Sequence, residues 1–333
     1  MKKGLLEFTG TGIYCKQADI YIDPWRSVKT AIITHAHSDH AYAGHKTYIA
    51  SKDSLPLLKH RLGHHIDVQA KNYGESFEIN GVKFSLHPAG HIIGSAQVRV
   101  EYQGEVWVAA GDYKRENDGI SGGFEVVPCD TFITESTFGI PAFRWTPQQI
   151  IYEEINHWWS ENAAKGRTSV IGAYSLGKAQ RILAGINPAL GPIYCHGAVA
   201  NTNDVLDHST VKLPDTKKIS DTDKKSDYEN ALVICPPASL NSSWTKRFKD
   251  HVTGQASGWM AIRGHRRRRS VDKGFVLSDH ADWDDLLKTV RETGASNVLV
   301  THGYTTIFAN YLKELGYNAS AVSTHYSGDE SVE

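Results

Sequence analysis

The densest chemistry in this 333-residue chain lies at His35-Ala36-His37-Ser38-Asp39-His40, where three histidines and an aspartate fall within six positions. Imidazoles and a carboxylate packed this closely are the donors that hold zinc and similar cations. They follow Ile32-Ile33-Thr34, a β-leaning run, and in an extended segment residues i and i+2 point the same way. His35 and His37 are therefore expected to grip one ion from one side. Asp39 and His40 come after the chain turns and would face a second ion. Two adjacent cations can clamp both the attacking and the leaving oxygen of a displacement.

Two further candidate ligands lie at strand ends. Phe84-Ser85-Leu86-His87-Pro88-Ala89-Gly90-His91 leaves a strand through a Pro/Gly turn and presents His91, and Val106–Ala110 runs into Gly111-Asp112. Loops at the ends of rigid strands are where a scaffold positions functional side chains. From Leu5 to Ala110, β-type runs predominate at Leu5–Phe8, Ile13–Cys15, Ile20–Ile22, Thr30–Thr34 and Thr47–Ala50. A helix is expected over Leu55–Leu62, stopped near Gly63, and hairpins are expected at Asn80-Gly81 and Gln103-Gly104. Together these elements predict a two-sheet core.

At 333 residues the chain is long enough for two domains, each with its own core. Apolar content of 40% and charged content of 22% describe a globular protein, and a formal net charge of -1 excludes one that is basic all over. Any contact with nucleic acid must come from local patches. Two lysines near the N-terminus are not followed by an apolar signal core, and no apolar run approaches a membrane span. A cytoplasmic protein with no membrane partner is expected. Cys15, Cys129, Cys195 and Cys235 are scattered without a C-x-x-C pair, which suits buried free thiols in a reducing compartment.

Asp23, the His35–His40 cluster, His91 and Asp112 resemble, in order and spacing, the metal motifs of the metallo-β-lactamase superfamily. Thr131–Gly139 with its Glu135, Gly274–Asp282 with its His280, and Val298–Gly303 with its His302 resemble motifs A, B and C of the β-CASP nucleases within that superfamily. The resemblance implies an α/β fold: a metallo-β-lactamase αββα sandwich with an inserted α/β β-CASP domain. Residues 1–139 plus 273–333 would form the first domain and residues 140–272 the insert.

The intervening segment suits an inserted domain on its own pattern. Pro147–Ala164 reads as a helix, with proline at its start and Gly166 after its end. Alternating strands and helices follow over Thr168–Ala173, Lys178–Ile186, Ile193–His196, Leu232–Cys235 and Trp244–His251, which predicts a parallel sheet. Two stretches here could meet nucleic acid. Ala173–Lys178 is a strand-to-helix turn whose backbone N–H groups, with Ser175 and Lys178, can hold a phosphate, although a plain helix cap explains the same spacing. Arg263, Arg266, Arg267, Arg268 and Arg269 follow Trp259 in a chain otherwise near neutral. Arginine clusters bind phosphate backbones, and the alternative is a solvated charge run; Trp259 itself is expected in the core rather than as a stacking platform.

Over almost its whole length the chain is most similar to the bacterial DNA-ligase-associated DNA exonucleases, which are related to the DNA cross-link repair nucleases. The resemblance implies two zinc ions, for which manganese or another divalent metal can substitute. His35, His37 and His91 would hold one, Asp39, His40 and His302 the other, with Asp112 bridging. Two such ions bring the pKa of a shared water toward ~7 and so supply hydroxide for in-line attack on phosphorus. Alongside Asp39 in the catalytic set, Asp23 is expected to orient a ligand histidine, Glu135 to position His280, and His280 to serve as general acid. The implied activity is 5′-to-3′ exonuclease action on 5′-phosphorylated single-stranded or frayed DNA ends in DNA repair, in functional association with an ATP-dependent DNA ligase and a helicase. Glu-Ser-Thr-Phe-Gly at motif A and a histidine at motif C are closer to the RNA-processing β-CASP enzymes, which makes RNA the alternative substrate. A small-molecule metallohydrolase would need neither the insert nor the arginines, and a non-catalytic nucleic-acid scaffold would not need every ligand position filled.

Overall fold

In the computed structural model, which describes residues 4–206, 210–264 and 270–326, two tight turns show how local sequence sets the frame. Asn80-Gly81 takes φ of 51° and 78°, and Gln103-Gly104 takes 53° and 82°. Paired positive φ values are the type I′ geometry that matches strand twist. They fold Ser76–Ile79 onto Val82–Pro88, and Ala96–Tyr102 onto Glu105–Ala109, as antiparallel pairs.

By its internal contacts the chain forms two units, one of Met1–Asn117, Ser121–Arg144 and His280–Val332, the other of Asp118–Ile120 and Trp145–Asp279. The first holds two sheets. One orders its strands Glu7–Phe8, Ile13–Cys15, Ile20–Ile22, Thr30–Ile32, Thr47–Ser51, Val68–Lys71. The other orders Asn318–Ala321, Asn297–Gly303, Thr131–Ser136, Glu105–Ala109, Ala96–Tyr102, Val82–Pro88, Ser76–Ile79. Ile20, Ile22, Ile32 and Ile49 of one sheet share a core with Phe84, Leu86, Val98 and Val100 of the other. On the opposite face of the second sheet, Val108, Phe132, Val298 and Val300 pack against Leu286 and Val290 of helix Trp283–Thr293 and Phe308 and Leu312 of helix Thr305–Glu314. Helix Leu55–Leu62 buries Leu57 and Leu58. The fold is a metallo-β-lactamase αββα sandwich carrying an inserted α/β unit.

That unit has six strands, ordered Lys217–Lys218, Ile193–Cys195, Leu232–Cys235, Thr168–Gly172, His251–Ala256, Lys273–Phe275, every neighbouring pair parallel. A parallel sheet is covered on both faces, so its strands read as continuous apolar runs with period-two sorting. Leu232 and Ile234 pack with Ile155 and Trp159 of helix Gln148–Ala163, while Val233 and Cys235 pack with Leu240 and Phe248.

Three elements differ from their expected extents by more than one residue at an end. The first strand is Glu7–Phe8 rather than Leu5–Phe8, with Leu5 and Leu6 buried in the core without joining the sheet. The run expected as strand to Thr34 ends at Ile32, because the Asp23 carboxylate, and not a neighbouring strand, takes the Thr34 N–H at 2.8 Å. The Trp244–His251 stretch is not one element: Ser242 Oγ accepts the Trp244 N–H to open the 3-10 turn Ser243–Arg247, and the strand starts at His251. All four cysteines are free, three of them buried, and burial pushes the Cys195 thiol up to about 12. Among the described residues no helix is long and apolar enough to cross a membrane.

Trp159 is fully buried, and its indole N–H donates to the Asn230 carbonyl at 2.9 Å. Trp159→Ala is expected to lower unfolding free energy by about 3–5 kcal/mol, read from the urea midpoint; a loss below ~1 kcal/mol would contradict this packing.

Candidate metal centre

Asp23 sits in the turn after strand Ile20–Ile22, with φ of 43°. Its Oδ1 accepts the Thr34 N–H, and its Oδ2 accepts the Thr34 hydroxyl and lies 2.7 Å from His40 Nδ1. Having given its proton to Asp23, the Thr34 hydroxyl is left as acceptor for His35 Nδ1, 3.0 Å away. One carboxylate and one hydroxyl thus hold two imidazoles by Nδ1 and turn both Nε2 atoms inward, the usual support for a ligand histidine. Residues 35–40 are bends and a turn rather than an extended strand, with the His40 and Ala41 N–H groups both donating to the His37 carbonyl. The His35 and His37 rings still converge, 4.9 Å apart and at 83°.

The neighbouring strands supply the rest. Gly111 has φ of 59°, and a Cβ there would stand 2.9 Å from the Thr34 side chain, so a glycine lets Asp112 approach the cluster. His91 follows Gly90 and donates its backbone N–H to Ser95 Oγ at 3.1 Å. Its Nε2 lies 3.1 Å from His37 Nδ1, and one donor atom from each of His35, His37, His91 and Asp112 falls within 4.8 Å of the others. Asp112 Oδ2 is 3.5 Å from His35 Nε2, 3.8 Å from His91 Nε2 and 3.6 Å from His40 Nε2. Its Oδ1 is 2.8 Å from His302 Nε2, at the end of strand Asn297–Gly303. Asp39 Oδ2 lies 3.8 Å from His40 Nε2. Asp112 therefore lies against His35, His91, His40 and His302 at once, with Asp39 beside His40.

The charges fit cations. Among the described residues, the buried Nε2 atoms of His35 and His40 have no hydrogen-bond partner. Burial and the neighbouring His40 push His35 well below its ordinary range, which leaves a neutral ring able to donate a lone pair. Burial opposes charge on His40 too, but the carboxylates of Asp112, Asp39 and Asp23 outweigh it and lift that ring to about 10. Burial likewise works against the Asp112 carboxylate, and His302 and His40 nonetheless hold it well below the usual range. Facing ring nitrogens and carboxylates this close call for positive charge between them.

Tyr326 is a member that sequence reasoning misses. Its ring stacks on His40, centroids 4.4 Å apart at 11°, and its hydroxyl donates to the Asp23 carbonyl at 3.2 Å. Burial and the carboxylates around it push the phenol well above its ordinary range, so it stays a donor. No motif or spacing marks it. Glu135, from strand Thr131–Ser136, accepts the Tyr113 N–H at 2.8 Å and lies 2.9 and 3.1 Å from His280 Nδ1, whose ring centroid is 4.5 Å from that of His91.

Lys178, expected to hold phosphate, lies within the inserted unit. Its ammonium is fully buried, 3.1 Å from the equally buried Asp279 Oδ1 and 4.5 Å from the Tyr174 ring centroid. The turn itself is closed by Gln180, whose Oε1 accepts the Gly177 N–H at 2.7 Å and whose Nε2 donates to the Ser175 carbonyl at 2.9 Å. Ser175 is half-buried and Arg263 exposed. Arg266, Arg267, Arg268 and Arg269 lie outside the described residues.

An αββα frame with histidines and aspartates gathered at its strand ends defines a metallo-β-lactamase-type centre. No family model matches the chain. It is 31% identical, over 93% of its length, to a protein of Opitutus terrae named "Probable DNA ligase", of which it covers 30%. It is 30% identical to an "RNase J-like protein" of Methanocaldococcus jannaschii over 54% of this chain and 50% of that one. It is 23% identical to "Endoribonuclease YSH1" of Kluyveromyces lactis over 71% of this chain and 38% of that one. The chain thus spans between about a third and a half of these relatives. A crystal structure of a protein of unknown function from Enterococcus faecalis V583 matches 81% of this chain and 74% of its own with a TM-score of 0.54 at 10% identity, which bears on the fold alone. The chain belongs to the metallo-β-lactamase/β-CASP nuclease family.

Because His40 keeps its proton up to about pH 10, a cation that takes its Nε2 at pH 7.5 must displace that proton. Titrating zinc into chelator-stripped protein is expected to release protons, with affinity falling as pH falls. Calorimetry in buffers of different ionisation enthalpy reads this directly, and a buffer-independent heat would refute it. Asp112→Asn is expected to lose at least half of the bound metal by elemental analysis, since both donor sets lean on that carboxylate.

Proposed function

We propose that this protein is a metal-dependent phosphodiesterase that degrades DNA from its ends, 5′ to 3′, with 5′-phosphorylated single-stranded or frayed ends preferred, in DNA repair. The observation that carries the hydrolytic reading is Asp112 at the meeting point of two histidine sets. Zinc is the cation we assign, with manganese as a substitute. His35, His37 and His91 would hold one ion and Asp39, His40 and His302 the other, with Asp112 between them. Cations so held lower the pKa of bound water and neutralise charge developing on phosphate oxygens.

The chain's own residues orient and move protons. Asp23 and Thr34 fix the His40 and His35 rings through Nδ1. Glu135 engages His280 at Nδ1, so Nε2 is the atom that exchanges a proton with the substrate, and His280 is assigned as proton donor to the leaving oxygen. With Lys178 internally paired, the strand's phosphates fall to Ser175, the exposed Arg263 and the arginines that follow it.

DNA is supported by the Opitutus relative, whose name is that of a DNA ligase and whose similarity covers 93% of this chain. The same relative supports a functional association with a ligase. RNA is the second reading, favoured by relatives named RNase J-like and endoribonuclease.

The test compares wild type with Asp39→Ala, in zinc and then manganese, on end-labelled 5′-phosphorylated single strands of DNA and RNA of one sequence. Metal-dependent loss of nucleotides from DNA, absent in the variant, is expected. Faster cleavage of RNA would overturn the DNA assignment, and no cleavage of either would overturn the nuclease. His280→Ala is expected to lower kcat by about 10²–10⁴-fold at unchanged metal content; lost metal would instead make it a structural support.

A further inference from the structure

Helix Leu55–Leu62 leaves its sheet at the same edge as the histidine cluster. Thr30–Ile32 and Thr47–Ser51 are parallel neighbours with Ile32 opposite Ile49, and the Ile33 N–H donates to the Ile49 carbonyl at 2.8 Å. Both strands therefore end together. The first runs on into the His35–His40 loop, and the second runs through a 3-10 turn over Lys52–Ser54 into the helix. The helix start is also seated on the loop that carries His91: Ser51 Oγ donates to the Gly94 carbonyl, and a Cβ on Gly94 would collide with the Ser54 nitrogen. One short helix is thus fixed beside two loops of the candidate centre.

Its last turn is basic. From Ser54 to Ile66 the chain has Lys59, His60, Arg61, His64 and His65 and no acidic residue. The helical period sorts these charges. Arg61 lies three and four residues beyond the buried Leu58 and Leu57, on the packed face, whereas Lys59 is turned about 160° from it. Arg61 is nonetheless exposed, as a long side chain is when its stem follows apolar surface and its charge emerges at the rim. The charged side chain whose field reaches it is Asp39, in keeping with the shared strand edge. The protein around Arg61 works against its charge and Asp39 sustains it; a guanidinium stays protonated in either case. Among the described residues Arg61 closes no ion pair and makes no hydrogen bond. Its fork of N–H donors therefore stands beside the cluster without an acceptor of the protein's own.

Resting on the nuclease reading above, we propose that Arg61 binds a backbone phosphate of the substrate strand at the rim of the metal centre, next to the phosphate that is cleaved. The planar fork of an arginine matches two phosphate oxygens at once, which a lysine does not. Neutralising the cleaved phosphate falls to the cations, and its neighbour needs a side chain. A contact to a group that does not react holds ground state and transition state equally, so it sets KM and leaves kcat alone.

The test measures steady-state cleavage of the end-labelled single strand by wild type, Arg61→Gln and Arg61→Lys, with Lys59→Gln as a control that loses the same charge from the other face. Binding is read by fluorescence anisotropy in the slow-cleaving His280→Ala background. Arg61→Gln is expected to raise KM about tenfold with kcat within about twofold, at unchanged metal content. It should also lower the slope of log affinity against log salt by about 0.7, the share of one phosphate on a single strand. Lys59→Gln should match wild type. Arg61→Lys keeps the charge but not the fork, so it should restore the slope with KM still raised; a wild-type KM there would overturn the proposal even if Arg61→Gln melted early. A wild-type KM in Arg61→Gln, an equal loss in Lys59→Gln, or loss of metal from Arg61→Gln each overturns the phosphate contact and leaves the nuclease standing. Failure of wild type to bind or cleave any single strand overturns both.

Discussion

The candidate metal centre rests on the Asp23 carboxylate. It takes the Thr34 N–H out of the sheet, which ends the strand at Ile32 and frees the next six residues to turn. It binds the Thr34 hydroxyl and the His40 ring with its other oxygen, and through that hydroxyl it reaches His35. Strand termination and ligand orientation are thus consequences of one buried charge. Asp23 is 2% exposed, and a carboxylate so enclosed is tolerable because each of its oxygens accepts a hydrogen bond.

The parts of this centre legible in the sequence are those whose geometry is local. Three histidines and an aspartate within six residues announce a shared target, and His91 and Asp112 stand out because a Gly turn follows an apolar strand. The frame is legible for the same reason: Asn80-Gly81 and Gln103-Gly104 carry their turn geometry in two residues, and the parallel sheet carries its burial in runs such as Leu232–Cys235. What escapes depends on tertiary partners. Thr34 looks like the end of a strand until Asp23 is seen beside it, and Tyr326 has no local pattern at all. Lys178 looks like a phosphate ligand because nothing in its own segment reveals that Asp279 lies beside it in the folded unit.

The inserted unit handles charge differently. Lys178–Asp279 and Arg181–Asp118 are ion pairs almost wholly withdrawn from water, at 3.1 Å each. Such pairs contribute little net stability, because desolvation offsets their attraction, but loss of one partner strands the other. Asp118 is remote in sequence from Trp145–Asp279 yet belongs to the same unit, and its ion pair with Arg181 ties that short segment to it.

The order in which the centre is built follows from where its members fall along the chain. His35 through Asp112 are synthesised first, but His302 and the Tyr326 ring that covers His40 come only after the whole insert has been made. Well over a hundred residues separate Asp112 from His302 along the chain. The cluster is therefore assembled from residues at both ends of the sequence, and its last members join only when the polypeptide returns to the first sheet pair.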